Sequence, residues 1–203
     1  MRIIFMGTPD FAVPCLDALI EAGHEILCVV AQPDKPKGRG KKLVSPPTII
    51  RARELGIPTK QPRRVRKGPF VEWVQQSNAD LAVVVAYGRI LKKNLLEAPK
   101  LGCINVHASL LPKYRGAAPI QWALMNGDNF TGVSIFQIEK KVDTGGIIHL
   151  EKIKIQNEDN FETLSAKLSE LGSKALIKSL NLIEKNDFKL LVQDNKKSTR
   201  APK

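Results

Sequence analysis

The stretch that most restricts the fold is Leu81-Ala-Val-Val-Val-Ala86, an unbroken apolar run closed by Tyr87-Gly88. A strand with one solvated face alternates apolar and polar side chains. A strand that is apolar on both faces must be covered on both, as in parallel sheets flanked by helices. The N-terminal segment agrees. Arg2–Met6 reads as a short apolar strand ending at Gly7. Phe11, Leu16, Leu19 and Ile20 then recur at helical spacing up to Gly23, and Glu25–Ala31 is a second apolar strand. Strand, helix and strand in this order make a βαβ unit. The expected fold is therefore α/β: an open, mostly parallel Rossmann-like sheet with helices on both faces. Gly7 stands alone, without the GxGxxG that a dinucleotide site requires, so a dinucleotide is weakly supported.

A chain of 203 residues can bury one good core. Its formal net charge of +12 favours a polyanionic partner, nucleic acid above all. The run at Leu81 is too short to span a bilayer, and the first residues lack the build of a signal peptide, so no membrane association is expected. Cys15, Cys28 and Cys103 are odd in number, widely spaced and set among apolar residues. They read as buried thiols of a reducing, cytoplasmic setting. With three histidines and no Cys/His cluster at ligand spacing, no metal is expected.

The positive charge is concentrated in two places. Gln32–Pro47 (QPDKPKGRGKKLVSPP) sets Lys35, Lys37, Arg39, Lys41 and Lys42 against Asp34, and its prolines and glycines disfavour regular structure. A long cationic loop of this kind suits phosphate contacts or is simply a solvated surface loop. The second cluster, Lys60, Arg63, Arg64, Arg66 and Lys67, reads equally well as a solvated face. Ser45 or Pro46 opens a short helix through Glu54, and Ile90–Ala98 reads as another that stops at Pro99. Thr131–Ile138 and Ile147–Ile155 read as strands, the second growing polar on both faces towards its far end, as an edge strand does. His149, on that strand, reads as half-buried and structural. Asp159 or Asn160 can cap a long last helix carrying Phe161, Leu164, Leu168, Leu171, Leu180 and Ile183. The end, QDNKKSTRAPK, has no periodicity and reads as a polar tail.

Chemistry gathers in residues 101–121, LGCINVHASLLPKYRGAAPIQ, and in VDTGG at 142–146. Asn105 and His107 lie two apart on a predicted strand, so their side chains share one face. The pair is either a structural pair bonded to the loop that follows or a reaction site. Asp143, by itself a turn residue beside glycines, could complete a trio. An imidazole beside a carboxylate takes a proton readily, and an Asn amide can hold an oxyanion as a carbonyl becomes tetrahedral. No Ser, Cys or Lys is paired with the His as a nucleophile, and no elbow motif surrounds Ser109, so the attacking group would belong to a substrate.

The motif NVHASLLPKYRGAAPIQ, with VDTG downstream, resembles the folate-dependent formyltransferases. MGTPDF, QPDKPKGRGKK and VVVAYGRIL place the likeness nearest to members that formylate the methionine of initiator tRNA. The resemblance implies catalysis by Asn105, His107 and Asp143, and formyl transfer from 10-formyltetrahydrofolate to the α-amino group of initiator methionyl-tRNA. It implies that Ser109, Leu110, Leu111 and Pro112, with Tyr87, Gly88, Ile90 and Leu91, contact the folate. It also implies that the loop carrying Arg39, Lys41 and Lys42 meets the tRNA. Phe11 is either a wall for the methionine side chain or a core contact. Residues 1–188 would be the catalytic domain and 189–203 a basic linker, with the family's C-terminal β-barrel domain absent from this sequence. A monomer is expected. Lys141 stands where the family commonly has Gly, and Gly146 where an acidic residue is frequent. A small-amine formyltransferase of the same fold, or a truncated remnant that binds folate or RNA without catalysis, are the alternatives.

Overall fold

The computed structural model describes residues 1–37 and 42–203, so Arg39 and Lys41 lie outside the described residues. The chain divides into two compact units, Met1–Cys103 and Ile104–Lys203.

The first unit contains β1 (Arg2–Gly7), a 3₁₀ turn at Asp10–Ala12, α1 (Val13–Glu21), β2 (Glu25–Val30), β3 (Lys35–Lys37), β4 (Lys42–Val44) and α2 (Pro47–Glu54). There follow β5 (Thr59–Lys60), α3 (Pro69–Gln76), β6 (Leu81–Val85) and α4 (Lys93–Leu96). Strands β6, β1, β2 and β5 pair in that order and all run parallel. Every residue of β6 is buried, which is why its sequence carries no alternation. Helices α1 and α2 pack on β2 and on each other. The fold class is thus the expected α/β, with a mostly parallel sheet.

Two stretches depart from expectation. The cationic stretch carries a short antiparallel ladder, Lys35 opposite Val44 and Lys37 opposite Lys42. Pro36, which has no N–H to give the ladder, stands opposite Leu43 at its middle pair. The helix expected over Ile90–Ala98 shrinks to α4. Lys92 is extended (φ −100°, ψ 163°) and Ile90 is 55% exposed, so only Leu95 and Leu96 give this turn an apolar face to bury.

The second unit contains nearly all of β7 (Cys103–His107), β8 (Arg115–Gly116), α5 (Pro119–Met125), β9 (Phe130–Gln137), β10 (Ile147–Lys154) and α6 (Phe161–Glu184). A 3₁₀ turn at Asn195–Lys197 and β11 (Arg200–Ala201) follow. Strand β9 runs antiparallel to both β7 and β10, which leaves β10 at the edge of this ladder, as its polar grading suggests. Asn160, not Asp159, caps α6: its side chain accepts from the Glu162 and Thr163 N–H groups in a capping box. Leu164, Leu168, Leu176 and Leu180 are fully buried, and α6 packs on β9 and β10. Residues of the expected polar tail are bound along their length, with β11 pairing in parallel with β8.

Candidate active site

Strand β7 presents Asn105 and His107 from one face, opposite Phe136 and Ser134 of β9. The His107 side chain is 6% exposed, and Phe136 meets its ring edge-on at 6.3 Å between centroids. Nε2 lies 2.9 Å from the Tyr114 carbonyl oxygen. A carbonyl can only accept, so Nε2 carries the proton of the neutral ring and Nδ1 holds the lone pair. Nδ1 faces Asp143 Oδ2 at 4.0 Å, too far for a direct hydrogen bond. The basic nitrogen is therefore not consumed by the carboxylate. Once protonated, it would point its N–H at a negative charge. Asn105 is half-buried, and its amide makes no hydrogen bond among the described residues.

The position of Tyr114 is itself fixed. Its phenol donates to Asp128 Oδ2 at 2.8 Å and accepts from the Asn126 amide at 2.9 Å. Burial holds that phenol above its ordinary pKa, with the Asp128 carboxylate adding to the effect and the Asn126 bond opposing it. Asp143 sits at φ +52° with its side chain 15% exposed, and Oδ2 accepts the Gly116 N–H at 2.8 Å. The neighbouring glycine is sterically required, because a Cβ on Gly145 would collide with the Gln137 carbonyl oxygen. Gly146, the departure from the family pattern, lies under Leu190, whose Cβ would be 2.9 Å from any Cβ placed there. Lys141, the other departure, is exposed.

The remaining expected residues divide. Ser109 is fully buried and its hydroxyl donates to the Lys113 carbonyl at 2.7 Å, so it is engaged in shaping the loop. Ser134 donates to the Ser109 carbonyl and accepts the Leu111 N–H. Leu111 joins a core cluster with Phe136 and Ile147, while Leu110 and Pro112 are half-buried and the Leu111–Pro112 bond is cis. In the first unit, Tyr87 is 1% exposed, its hydroxyl lacks a partner among the described residues, and burial pushes its pKa up to about 12. Leu91 is also buried, which leaves Gly88 and Ile90 as the exposed members of that segment. Phe11 is half-buried in the Asp10–Ala12 turn, and Lys42 is exposed on β4. His149 is half-buried and bonded to Glu151 at 2.9 Å. Among the described residues no His/Cys/Asp/Glu cluster could hold a metal, and no helix is long and apolar enough to cross a membrane.

The trio thus comes together in one unit, with two partners that sequence reasoning did not name, Tyr114 and Gly116. Both lie in the KYRGAA stretch, where an aromatic and a glycine directly after the loop were the available signal.

Residues 1–180 match the family model described as formyl transferase, and the chain belongs to that family. A curated relative from Kosmotoga olearia, called methionyl-tRNA formyltransferase, is 52% identical over all of this chain and 65% of its own length. A relative of the same name from Thermodesulfovibrio yellowstonii is 54% identical over 90% of this chain and 59% of its own length. The chain therefore spans about three fifths of the length of the curated relatives it matches. Among solved structures, glycinamide ribonucleotide transformylase 1 from Symbiobacterium toebii superposes with a TM-score of 0.76 at 19% identity, covering 94% of both chains. At that identity the likeness concerns the fold alone.

Proposed function

We propose that this chain carries the catalytic machinery of an enzyme that moves a formyl group from 10-formyltetrahydrofolate to the α-amino group of methionine on initiator tRNA. The observation that carries the reading is the His107 arrangement: Nε2 committed to the Tyr114 carbonyl, Nδ1 free and facing Asp143, with the open Asn105 amide two residues away. The names of the relatives supply the substrate class. Three buried thiols fit a reducing cytoplasm, and a net charge of +12 fits a tRNA partner met through Arg39, Lys41 and Lys42. The Ser109–Pro112 loop is assigned to the folate, and the catalytic domain extends over residues 1–188.

The amine nitrogen attacks the formyl carbon, a C–N bond forms, and the carbonyl electron pair moves onto oxygen, where the Asn105 amide N–H donates. His107 Nδ1 takes the proton released by the amine, directly or through one water, and the imidazolium then faces the Asp143 carboxylate. Collapse breaks the bond from the formyl carbon to the folate nitrogen, which receives the proton from His107. The products are formylmethionyl-tRNA and tetrahydrofolate.

His107→Ala and Asp143→Ala should each lower transfer by about 10²- to 10⁴-fold in a purified chain that keeps its circular dichroism. Near-normal turnover in either variant defeats the assignment. Formylation of a small amine in place of methionyl-tRNA would assign the chain to a small-amine enzyme of the same fold.

A further inference from the structure

Two backbone segments set the geometry of the trio. Tyr114–Gly116 accepts from His107 and donates to Asp143, and the turn at 141–146 carries Asp143 itself. Residues near the C-terminus bind both. On one side, Thr199 Oγ1 accepts the Tyr114 N–H at 2.8 Å, and the Thr199 carbonyl accepts the Arg115 N–H at 2.9 Å. The Ala201 carbonyl accepts the N–H groups of Ala117 and Ala118 at 2.8 and 3.0 Å. On the other side, Leu191 exchanges both backbone hydrogen bonds with Ile147, at 2.8 and 2.9 Å.

Between these attachments lies Gln193, 6% exposed in a stretch whose neighbours are exposed. Its Oε1 accepts from Arg115 Nε at 3.0 Å and Nη2 at 2.7 Å. Its Nε2 donates to the carbonyls of Asp143 at 3.1 Å and Gly145 at 2.8 Å. One carboxamide thus uses its acceptor on the segment that fixes His107 and its donors on the turn that carries Asp143. Few side chains can do both. A carboxylate has no proton for the two carbonyls, and Lys or Arg has no acceptor for the guanidinium. The bond to the Gly145 carbonyl is buried, so losing it leaves that carbonyl without water to replace the donor.

We propose that Gln193 is a positioning residue of the formyl-transfer site, holding Asp143 at its distance from His107, and that residues 191–201 are part of the catalytic structure rather than a tether. The proposal rests on the function proposed above for the trio.

The test uses the 203-residue chain with Gln193→Ala and Gln193→Glu. The glutamate variant keeps an acceptor for Arg115 but sets an oxygen against the two carbonyls. Both variants should lose about 10- to 100-fold in kcat, because a small misplacement of a catalytic group is costly, with the KM for 10-formyltetrahydrofolate and for methionyl-tRNA changing less than about threefold. By hydrogen exchange, the Gly116 N–H that donates to Asp143 should exchange roughly tenfold faster or more, while the Ala117 and Ala118 amides bound to Ala201 keep their protection. Wild-type kcat in Gln193→Glu would show that only the tie to Arg115 matters and would overturn the proposal. So would unchanged Gly116 exchange in both variants. Absence of formyl transfer by the parent chain would instead overturn the functional reading, and the exchange of Gly116 would still decide on the brace.

Discussion

Residues 32–47 and 189–203 look alike as sequence: lysine-rich, broken by proline, without period, each flanking a well-patterned segment. They behave differently in the fold. In the first, Leu43 is 71% exposed, Val44 is 40% exposed and Lys42 faces solvent, and among the described residues β3 and β4 form a two-stranded ladder of their own. In the second, Gln193 and Ala201 are buried, and the backbone of Leu191, Thr199 and Ala201 is matched to that of Ile147, Arg115, Ala117 and Ala118. Composition does not separate the two, because the difference lies in backbone partners far away in sequence. The β3–β4 ladder leaves Lys42 exposed and able to meet an outside anion. A stretch paired with the loops around His107 and Asp143 helps to fix those loops.

The comparison breaks most sharply at Gly116. Its φ is +131°, and a Cβ there would lie 2.6 Å from the Ala201 carbonyl oxygen, so the side chain and the β8–β11 pairing exclude each other. Gly116→Ala should destabilise the chain by about 2–3 kcal/mol and lower the thermal midpoint by roughly 5–10 °C. It should also open residues 190–201 to limited proteolysis. An unchanged midpoint with unchanged cleavage would mean that the second stretch is as loosely held as the first.

Charge removal probes the other side. With Arg39, Lys41 and Lys42 replaced by Ala, the thermal midpoint should move by no more than about 2 °C; Lys42 is exposed, and exposed charges contribute little to stability. Affinity for methionyl-tRNA should fall, and the slope of log affinity against log salt should flatten by roughly 0.7–0.9 for each phosphate that is no longer neutralised. A parallel salt dependence in parent and variant would remove these cations from the tRNA-binding surface.

What sequence could and could not supply follows the same division. Patterned elements were legible: the unalternating β6, the Asn105/His107 strand, and a long α6 beginning at one of two candidate caps. The Asn105, His107 and Asp143 trio that we propose as catalytic was legible because its residue types carry chemistry. The β8–β11 pair was not, since two residues on each side have no period and their pairing is set by distant backbone. Gln193 was hidden for a related reason. A glutamine in a polar stretch is unremarkable until its four partner groups, two N–H groups of Arg115 and the carbonyls of Asp143 and Gly145, are brought around it. Helix α4 was overestimated because Ile90 and Leu91 extend an apolar pattern into backbone that is extended at Lys92.

The smallest effect concerns how the two stretches are anchored. Asp34, at the base of β3, accepts from the Gln61 amide at 2.6 Å. That bond, with further help from the Ser45 hydroxyl and the Arg53 charge, holds its carboxyl below the ordinary carboxylate range against the opposing effect of burial. A carboxyl with a depressed pKa in the fold contributes fully above its unfolded pKa, about 3.9, and loses that contribution as pH falls through the folded value. The Gln193–Arg115 tie contains no group that titrates in that range. Acid should therefore loosen the base of the first stretch and leave this tie of the second unaffected. Asp34→Asn, which keeps an acceptor but removes the charge, should lower the thermal midpoint slightly at about pH 7, and the difference from the parent should shrink as pH falls below the unfolded carboxylate range and through the lower folded value. A difference that persists or grows on acidification would show that the anchor does not depend on the ionised carboxylate.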